Sequence, residues 1–317
     1  MYSRLLAGDA TWNGRFFTGV LTTGIYCLPS CKARKPKSEN VRFFPTCEAA
    51  REAGLRACKK CHPDDYARGA DPVLETIEQV VLEVREHPEI FRDGRAIVQR
   101  SGFGNTRAFE LFRQHYHRTP ADLLLSARLR SAQEKLLTSK ARVATIAFAV
   151  GFESLSGFHD NFQRLTGLTP TAYRKLGHSQ TFTITLPEAF DIAYLRRALS
   201  RDPHSLSERL IGNTYEAAVR IEGNPEMISL QLAPDKIEVS TTSPNSTIAH
   251  RILSGLLGLD QDCPAFCRLV TKLGLQRLIA DRSGLRVSQT HSLYEGILWS
   301  IIGQQINFPF ACLLKSR

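Results

Sequence analysis

The chain has 317 residues, room for two or three domains each with its own core. Its formal charge of +10 is uneven. Residues 1–180 hold 27 Lys and Arg against 18 Asp and Glu, and the rest holds 14 against 13, so a polyanionic partner is expected at the N-terminal half. No run reaches the roughly eighteen apolar residues that span a bilayer, and the first ten residues lack the apolar core of a secretory signal. These features predict a cytoplasmic protein with no membrane association.

Residues 1–69 form a first block, rich in Cys, Lys and Arg. Cys27 and Cys31 stand as C-x3-C, and after twenty-six residues Cys58 and Cys61 stand as C-x2-C. Each short arm can turn two sulfurs toward one ion, and two arms close the tetrahedral four-thiolate shell usual for structural zinc. A disulfide pair or buried free thiols is the alternative, disfavoured in a reducing compartment. Phe16, Phe17, Phe43 and Phe44 are expected to pack a small core that the metal completes. His62 could replace a ligand, but four cysteines already fill the shell. Cys47 is a further thiol, assigned to packing.

A helix-rich block is expected over residues 71–176. Asp71-Pro72 starts a helix on which Val73, Ile77, Val80, Val81 and Val84 recur with helical spacing. An internal repeat follows. I-V-Q-R-S-G-F-G-N-T-R-A-F-E-L-F-R from Ile97 and I-A-F-A-V-G-F-E-S-L-S-G-F-H-D-N-F-Q-R from Ile146 each give a short helix, a turn at Gly102 or Gly151, and a second helix with a basic end. Thr119-Pro120 and Thr169-Pro170 close the two units. Glycine at each turn allows the positive φ of a tight helix-turn-helix corner. Ala147 lets the helices of the second unit cross closely, and Val98 is its bulkier counterpart. An ordinary helical hairpin repeat is the plainer reading. On the second helices Asn105, Arg107, Ser154, Ser156, His159 and Arg164 are expected on exposed turns, with Phe109, Phe112, Phe158 and Phe162 packing inward.

Residues 177–180 read as a polar linker. Phe182 to Leu186 and Met227 to Leu232 then alternate like strands, and helical patterns begin near Thr247. Leu293 to Leu314 reads as an apolar helix whose Ile297, Trp299, Ile301 and Ile302 would lie uncovered, inviting self-association.

Three resemblances accompany these motifs. V-L-T-T-G-I-Y-C-L-P-S-C-K-A-R-K-P from Val20 and A-G-L-R-A-C-K-K-C-H-P-D around Cys58 resemble the zinc domain of Ada-type alkylation-response proteins. That resemblance implies zinc held by Cys27, Cys31, Cys58 and Cys61, with Cys27 as the single-use acceptor of a methyl group from a methylated DNA phosphate. It also implies that Thr23, Lys32, Arg34 and Arg56 touch the DNA backbone. Leu28 stands where the family often has Arg, which removes one phosphate contact. G-F-E-S-L-S-G-F-H-D-N-F-Q-R-L-T-G-L-T-P from Gly151 resembles the signature of AraC-type regulators, whose tandem motifs read successive major grooves of double-stranded DNA. Such a regulator implies RNA polymerase as a further partner.

Residues 181–296 resemble the N-terminal α+β domain of AlkA-type 3-methyladenine DNA glycosylases, and residues 297–317 the start of their helical region. The helix-hairpin-helix and catalytic Asp of that family are not in this sequence, so glycosylase activity is not expected. The expected fold is multidomain: a small zinc-bound α/β domain, an all-α tandem helix-turn-helix domain, and an α+β domain with a truncated helical region. The expected function is stoichiometric repair of DNA methylphosphotriesters coupled to transcription regulation. The alternatives are an AraC-type regulator with purely structural zinc, or an AlkA-type glycosylase.

Overall fold

The computed structural model describes residues 1–69, 72–280 and 282–316. Asp71, where the first helix of the middle block was expected to begin, and Arg317 lie outside the described residues. The chain divides into two compact units, one of residues 1–86 and 93–123, the other of residues 87–92 and 124–317.

The first unit opens with α1 (Tyr2–Ala7), then β1 (Phe17–Val20), β2 (Ile25–Cys27), β3 (Val41–Phe44), α2 (Cys47–Glu52), β4 (Arg56–Ala57) and α3 (Pro63–Ala67). The sheet order is β3-β1-β2-β4, antiparallel except for the β2–β4 pair. Gly19 in β1 leaves room for Leu55 and Phe44; a Cβ there would meet their side chains at 2.5 and 2.6 Å. Phe17, Tyr26, Leu28, Phe44, Cys47, Ala50 and Leu55 form one buried cluster, and Cys27, Cys31 and Cys58 form a second. Cys47 is thus a packing thiol, and Leu28 a core residue. α4 (Pro72–Glu86), α5 (Gly94–Ser101) and α6 (Asn105–Tyr116) follow. Ile77, Val80, Val81 and Val84 are buried on α4, while Val73 is half-buried.

α7 (Pro120–Thr138) contains the boundary between the units. In the second unit α8 (Val143–Ala149), α9 (Leu155–Thr166) and α10 (Pro170–Lys175) pack Ile146, Ala147, Phe158, Phe162 and Tyr173 into one core. The two expected corners are present, with Gly102 at φ 70° and Gly151 at φ 93°.

One expectation on α6 fails: Phe109 is 42% exposed. Ala108, Leu111 and Phe112 take the buried stripe at i, i+3 and i+4, and Phe109, one step of about 100° past Ala108, turns outward.

β5 (Thr181–Thr185), α11 (Ile192–Leu199), β6 (Glu208–Ile211), β7 (Thr214–Ile221), β8 (Asn224–Leu232) and β9 (Lys236–Thr241) build an antiparallel sheet of order β5-β9-β8-β7-β6. Ile184, Ile228, Leu230 and Leu232 point inward under α11 and α12 (Thr247–Leu256), as their alternation requires. Met227, the outward neighbour, is 42% exposed. The sheet seals onto the end of α9. Thr185 N–H donates to Gly167 O at 2.8 Å, and a Cβ on Gly167 would meet Ile184 at 2.5 Å. The buried His250 lies 2.7 Å, Nε2 to O, from the carbonyl of Thr166.

α13 (Cys263–Lys272), α14 (Leu293–Ile302) and α15 (Phe308–Lys315) complete the chain. The single apolar helix expected over 293–314 is therefore two helices, broken after Gly303, with Asn307 capping α15 through Phe310 N–H. α14 crosses the expected boundary between residues 296 and 297. Ile297 and Ile301 are exposed, but Trp299 is half-buried and stacks on Phe308 with centroids 5.4 Å apart, Arg201 and Lys315 lying against it.

Candidate metal centre and DNA-facing residues

The β1–β2 hairpin brings Cys27 opposite Thr18 and delivers it at the end of a strand. A turn closed by Cys31 N–H to Leu28 O, 3.1 Å, carries Cys31 back toward it. Asn13 braces that turn twice, donating to Ser30 Oγ at 2.9 Å and accepting from Ser30 N–H at 3.2 Å. The second arm begins where β4 ends. A turn closed by His62 N–H to Cys58 O, 3.0 Å, sets Cys61 beside Cys58.

The four Sγ atoms lie within 4.8 Å of one another. A tetrahedral zinc shell with Zn–S bonds of about 2.3 Å needs its sulfurs about 3.8 Å apart, so the cluster fits zinc with little contraction. His62 takes no part in this group: its Nδ1 faces Asp65 at 3.4 Å.

The sulfurs are not equivalent. Cys61 Sγ accepts from Leu28 N–H at 3.4 Å and Cys58 Sγ from Lys60 N–H at 3.4 Å. The Ala33 N–H favours the Cys31 thiolate, against the larger opposing effect of burial. No backbone donor reaches Cys27 Sγ among the described residues; its strongest interaction in the cluster is with the Cys61 thiol. The Cys27 thiol is the main reason Cys61 is pushed down, with burial opposing and the Leu28 N–H assisting. The same interaction, followed by burial and the neighbouring thiols, drives Cys27 upward. Burial pushes Cys31 up to about 11. A divalent ion is what allows four thiolates to share one site. Exposure ranks the sulfur residues differently. Cys27, Cys31 and Cys58 are 8%, 5% and 8% exposed, and Cys61 is the more open. Hydrogen bonding bears directly on sulfur basicity and is the better guide to reactivity; exposure shows only where a partner must enter.

Thr23, Lys32, Arg34 and Arg56 are all exposed. Thr23 and Arg56 lie at one edge, because Arg56 N–H bonds Gly24 O at 2.8 Å. Lys32 lies beside Lys60, whose Nζ reaches Lys32 O at 3.4 Å. Sequence reasoning passed over Lys60 and also Lys35, whose Nζ holds Cys31 O at 2.9 Å. The clue to Lys60 was its place inside C-K-K-C.

Asn105 and Arg107 are exposed on the first turn of α6, with Arg107 3.7 Å from Glu110. Ser156 is exposed and His159 half-buried against Phe158. Ser154 has a structural task as well: it caps α9 by accepting from Gly157 N–H at 3.1 Å. Arg164 lines a cleft of about 710 Å³ with Leu186, Glu188, Asp262 and Arg286.

A four-thiol centre on a small sheet, followed in the chain by two glycine-cornered helical units, defines a metal-binding protein with a helix-turn-helix module. Residues 1–64 match the family described as the metal binding domain of Ada, and residues 97–176 match a helix-turn-helix domain family. The chain thus carries an Ada-type metal-binding domain, with zinc as its ion, and a helix-turn-helix domain.

Among curated proteins, a probable bifunctional transcriptional activator/DNA repair enzyme AlkA of Mycobacterium tuberculosis is 28% identical over all of this chain and 67% of its own length. The bifunctional transcriptional activator/DNA repair enzyme AdaA of Bacillus subtilis is 29% identical over 55% of this chain and 82% of that protein. Among solved structures, a methylated N-Ada/DNA complex is 31% identical, covering 40% of this chain and 94% of that one at a TM-score of 0.33. No helix among the described residues is long and apolar enough to cross a membrane.

Proposed function

We propose that this chain is a DNA alkylation-damage response protein. It takes the methyl group from a methylphosphotriester in double-stranded DNA onto Cys27 and couples that event to sequence-specific DNA binding. One observation carries the choice of Cys27. Among the described residues it is the cluster sulfur on which no backbone N–H acts: Leu28 and Lys60 N–H donate to Cys61 and Cys58, and the Ala33 N–H favours the Cys31 thiolate, so Cys27 keeps more electron density for attack.

Zinc, when bound, supplies the charge that keeps Cys27, Cys31, Cys58 and Cys61 as thiolates at neutral pH. Cys27 Sγ attacks the methyl carbon in line with the ester oxygen. An S–C bond forms, the C–O bond breaks, and its electron pair leaves on the phosphate, which becomes an ordinary diester anion. No proton moves, so no general base is required. The methyl stays on Cys27 as a thioether, and the protein acts once. Thr23, Lys32, Arg34 and Arg56 hold the flanking phosphates.

Methylation removes one negative charge from the thiolate cluster. At about 5 Å from a DNA phosphate that change is worth on the order of 1 kcal/mol, enough to tighten DNA binding severalfold. Asn105, Arg107, Ser154, Ser156, His159 and Arg164 are then the residues of the helix-turn-helix units offered to base edges. RNA polymerase is the partner that such binding would serve, in the cytoplasm. The antiparallel sheet domain over residues 181–296 is read as AlkA N-terminal-like, a reading supported by the match to the mycobacterial relative, which takes in all of this chain and 67% of that protein.

The near-burial of three cysteines favours one other reading, a regulator whose zinc is only structural. Mass spectrometry of the full chain after incubation with methylated DNA separates the two. One methyl group is expected, mapped to Cys27, and none in Cys27→Ser. A methyl on Cys31, Cys58 or Cys61 would overturn the choice of acceptor, and no uptake at all would leave the structural-zinc reading standing.

A further inference from the structure

The two thiol arms sit on different elements, and little backbone joins them. β4 is two residues long, and the β2–β4 ladder has only the pairs Ile25 with Arg56 and Tyr26 with Ala57. A ladder so short fixes register weakly, so something else must set the distance between the arms.

Tyr26, the residue just before Cys27, is fully buried and bonds to the second arm on both sides. Its carbonyl accepts from Cys58 N–H at 3.0 Å, at the start of that arm. Its hydroxyl donates to Asp64 Oδ1, three residues beyond Cys61 in the first turn of α3. Burial opposes ionisation of Asp64, but Tyr26, the buried Cys47 thiol and the charges of Arg51 and Arg68 outweigh it and lower its pKa. One side chain and its own backbone therefore bracket Cys58 to Cys61 and tie that arm to the strand that ends in Cys27.

We propose that Tyr26, through its hydroxyl's bond to Asp64, is a positioning residue that sets the spacing of the two thiol arms around the metal. This rests on zinc binding by the four cysteines and not on which of them accepts a methyl group. The Tyr26 hydroxyl bonds Asp64 and not a ligand sulfur. It acts through Asp64 and α3, as partners beyond the ligand shell commonly do in fixing ligand orientation.

The test uses the full-length zinc-loaded chain and contains no DNA, so its outcome is independent of the proposed methyl transfer. Tyr26→Phe keeps the ring in its cluster with Phe17, Phe44 and Leu55 and removes only the hydroxyl. Zinc transfer to a chelating dye should quicken roughly tenfold, within the range seen when partners beyond the ligand shell are removed. The ligand-field bands of the cobalt-substituted protein should broaden, reporting a looser four-sulfur geometry. Asp64→Asn should act in the same direction, and the double variant should be no worse than the worse single, because one bond is lost in every case. Leu55→Ala, a packing change in the same cluster, should lower stability while leaving the cobalt bands in place. A Tyr26→Phe protein with unchanged bands and zinc loss within about twofold of wild type, or a double variant whose effects add, would overturn the proposal. Should Tyr26→Phe not fold, Asp64→Asn alone decides it by the same two readouts.

Discussion

His250 offers a prediction that can be worked through in numbers. It lies on α12, 3% exposed, with its ring edge-on to Tyr173, tilted against Phe182, and its Nε2 2.7 Å from Thr166 O. Arg251 is the charged neighbour on the same helix, close enough to act on Tyr173. Burial disfavours the imidazolium and pushes the group down from 6.5 to about 4, the bond to Thr166 opposing only in part. The neutral ring must therefore donate its Nε2–H to the carbonyl at the end of α9.

In the unfolded chain the same histidine titrates near its ordinary value, so between pH 6.5 and about 4 the unfolded state binds the additional proton. The contribution is complete above the ordinary value and is lost as pH falls through that window. From pH 7 to pH 5 the loss is about 2 kcal/mol. The assay is native-state hydrogen exchange on the full chain, corrected for intrinsic rates, following peptides that cover 158–176 and 247–257. Opening free energy should drop by about that amount in wild type. His250→Gln can still donate to Thr166 O but cannot titrate, and it should flatten the slope. Equal pH dependence in the two proteins would refute the reasoning, since carboxylates elsewhere would then carry the whole effect.

Two substitution pairs test the helical units. Gly151→Ala should destabilise more than Gly102→Ala. Both force a left-handed backbone at about 1–2 kcal/mol, but a Cβ on Gly151 would also sit 2.8 Å from Arg128 Nε, while one on Gly102 meets nothing within 4 Å. Arg128 cannot swing away cheaply, because its Nη2 holds Phe91 O at 2.7 Å and Arg92 O at 3.1 Å. Equal losses in urea denaturation would remove Arg128 from this account. On α6, Phe112→Ala should cost about 3–5 kcal/mol and Phe109→Ala less than about 0.5 kcal/mol, measured by far-UV circular dichroism during denaturation. Comparable losses would mean that Phe109 is buried in solution.

What could be read from the sequence was what is local along the chain. The four cysteines declare themselves because each arm is a single turn, and a turn of that length leaves few places for a second sulfur to go. The glycine corners are local for the same reason: positive φ at 102 and 151 is a property of one residue. Phe109 was misplaced because phenylalanines at 109 and 112 are three apart, a spacing that suits one helix face. Only the burial of Ala108 shows that the stripe runs through 108, 111 and 112 instead. The apolar run from 293 to 314 has helical composition throughout, and composition does not reveal that Trp299 and Phe308 stack by breaking the helix between them.

The bonds that position the site and join the elements are of another kind. Tyr26 and Asp64 are 38 residues apart, and His250 and Thr166 are 84 apart. Periodicity does say that His250 shares the buried face of α12 with Ala249, Leu253 and Leu256, and a buried imidazole must find a partner. It does not say which. The partner is the last carbonyl of α9, left without an acceptor role inside its own helix. Each end supplies the group the other lacks, a donor on an apolar helix and an orphan carbonyl at a helix terminus. That complementarity is visible only once the sheet domain is seen packed on α9.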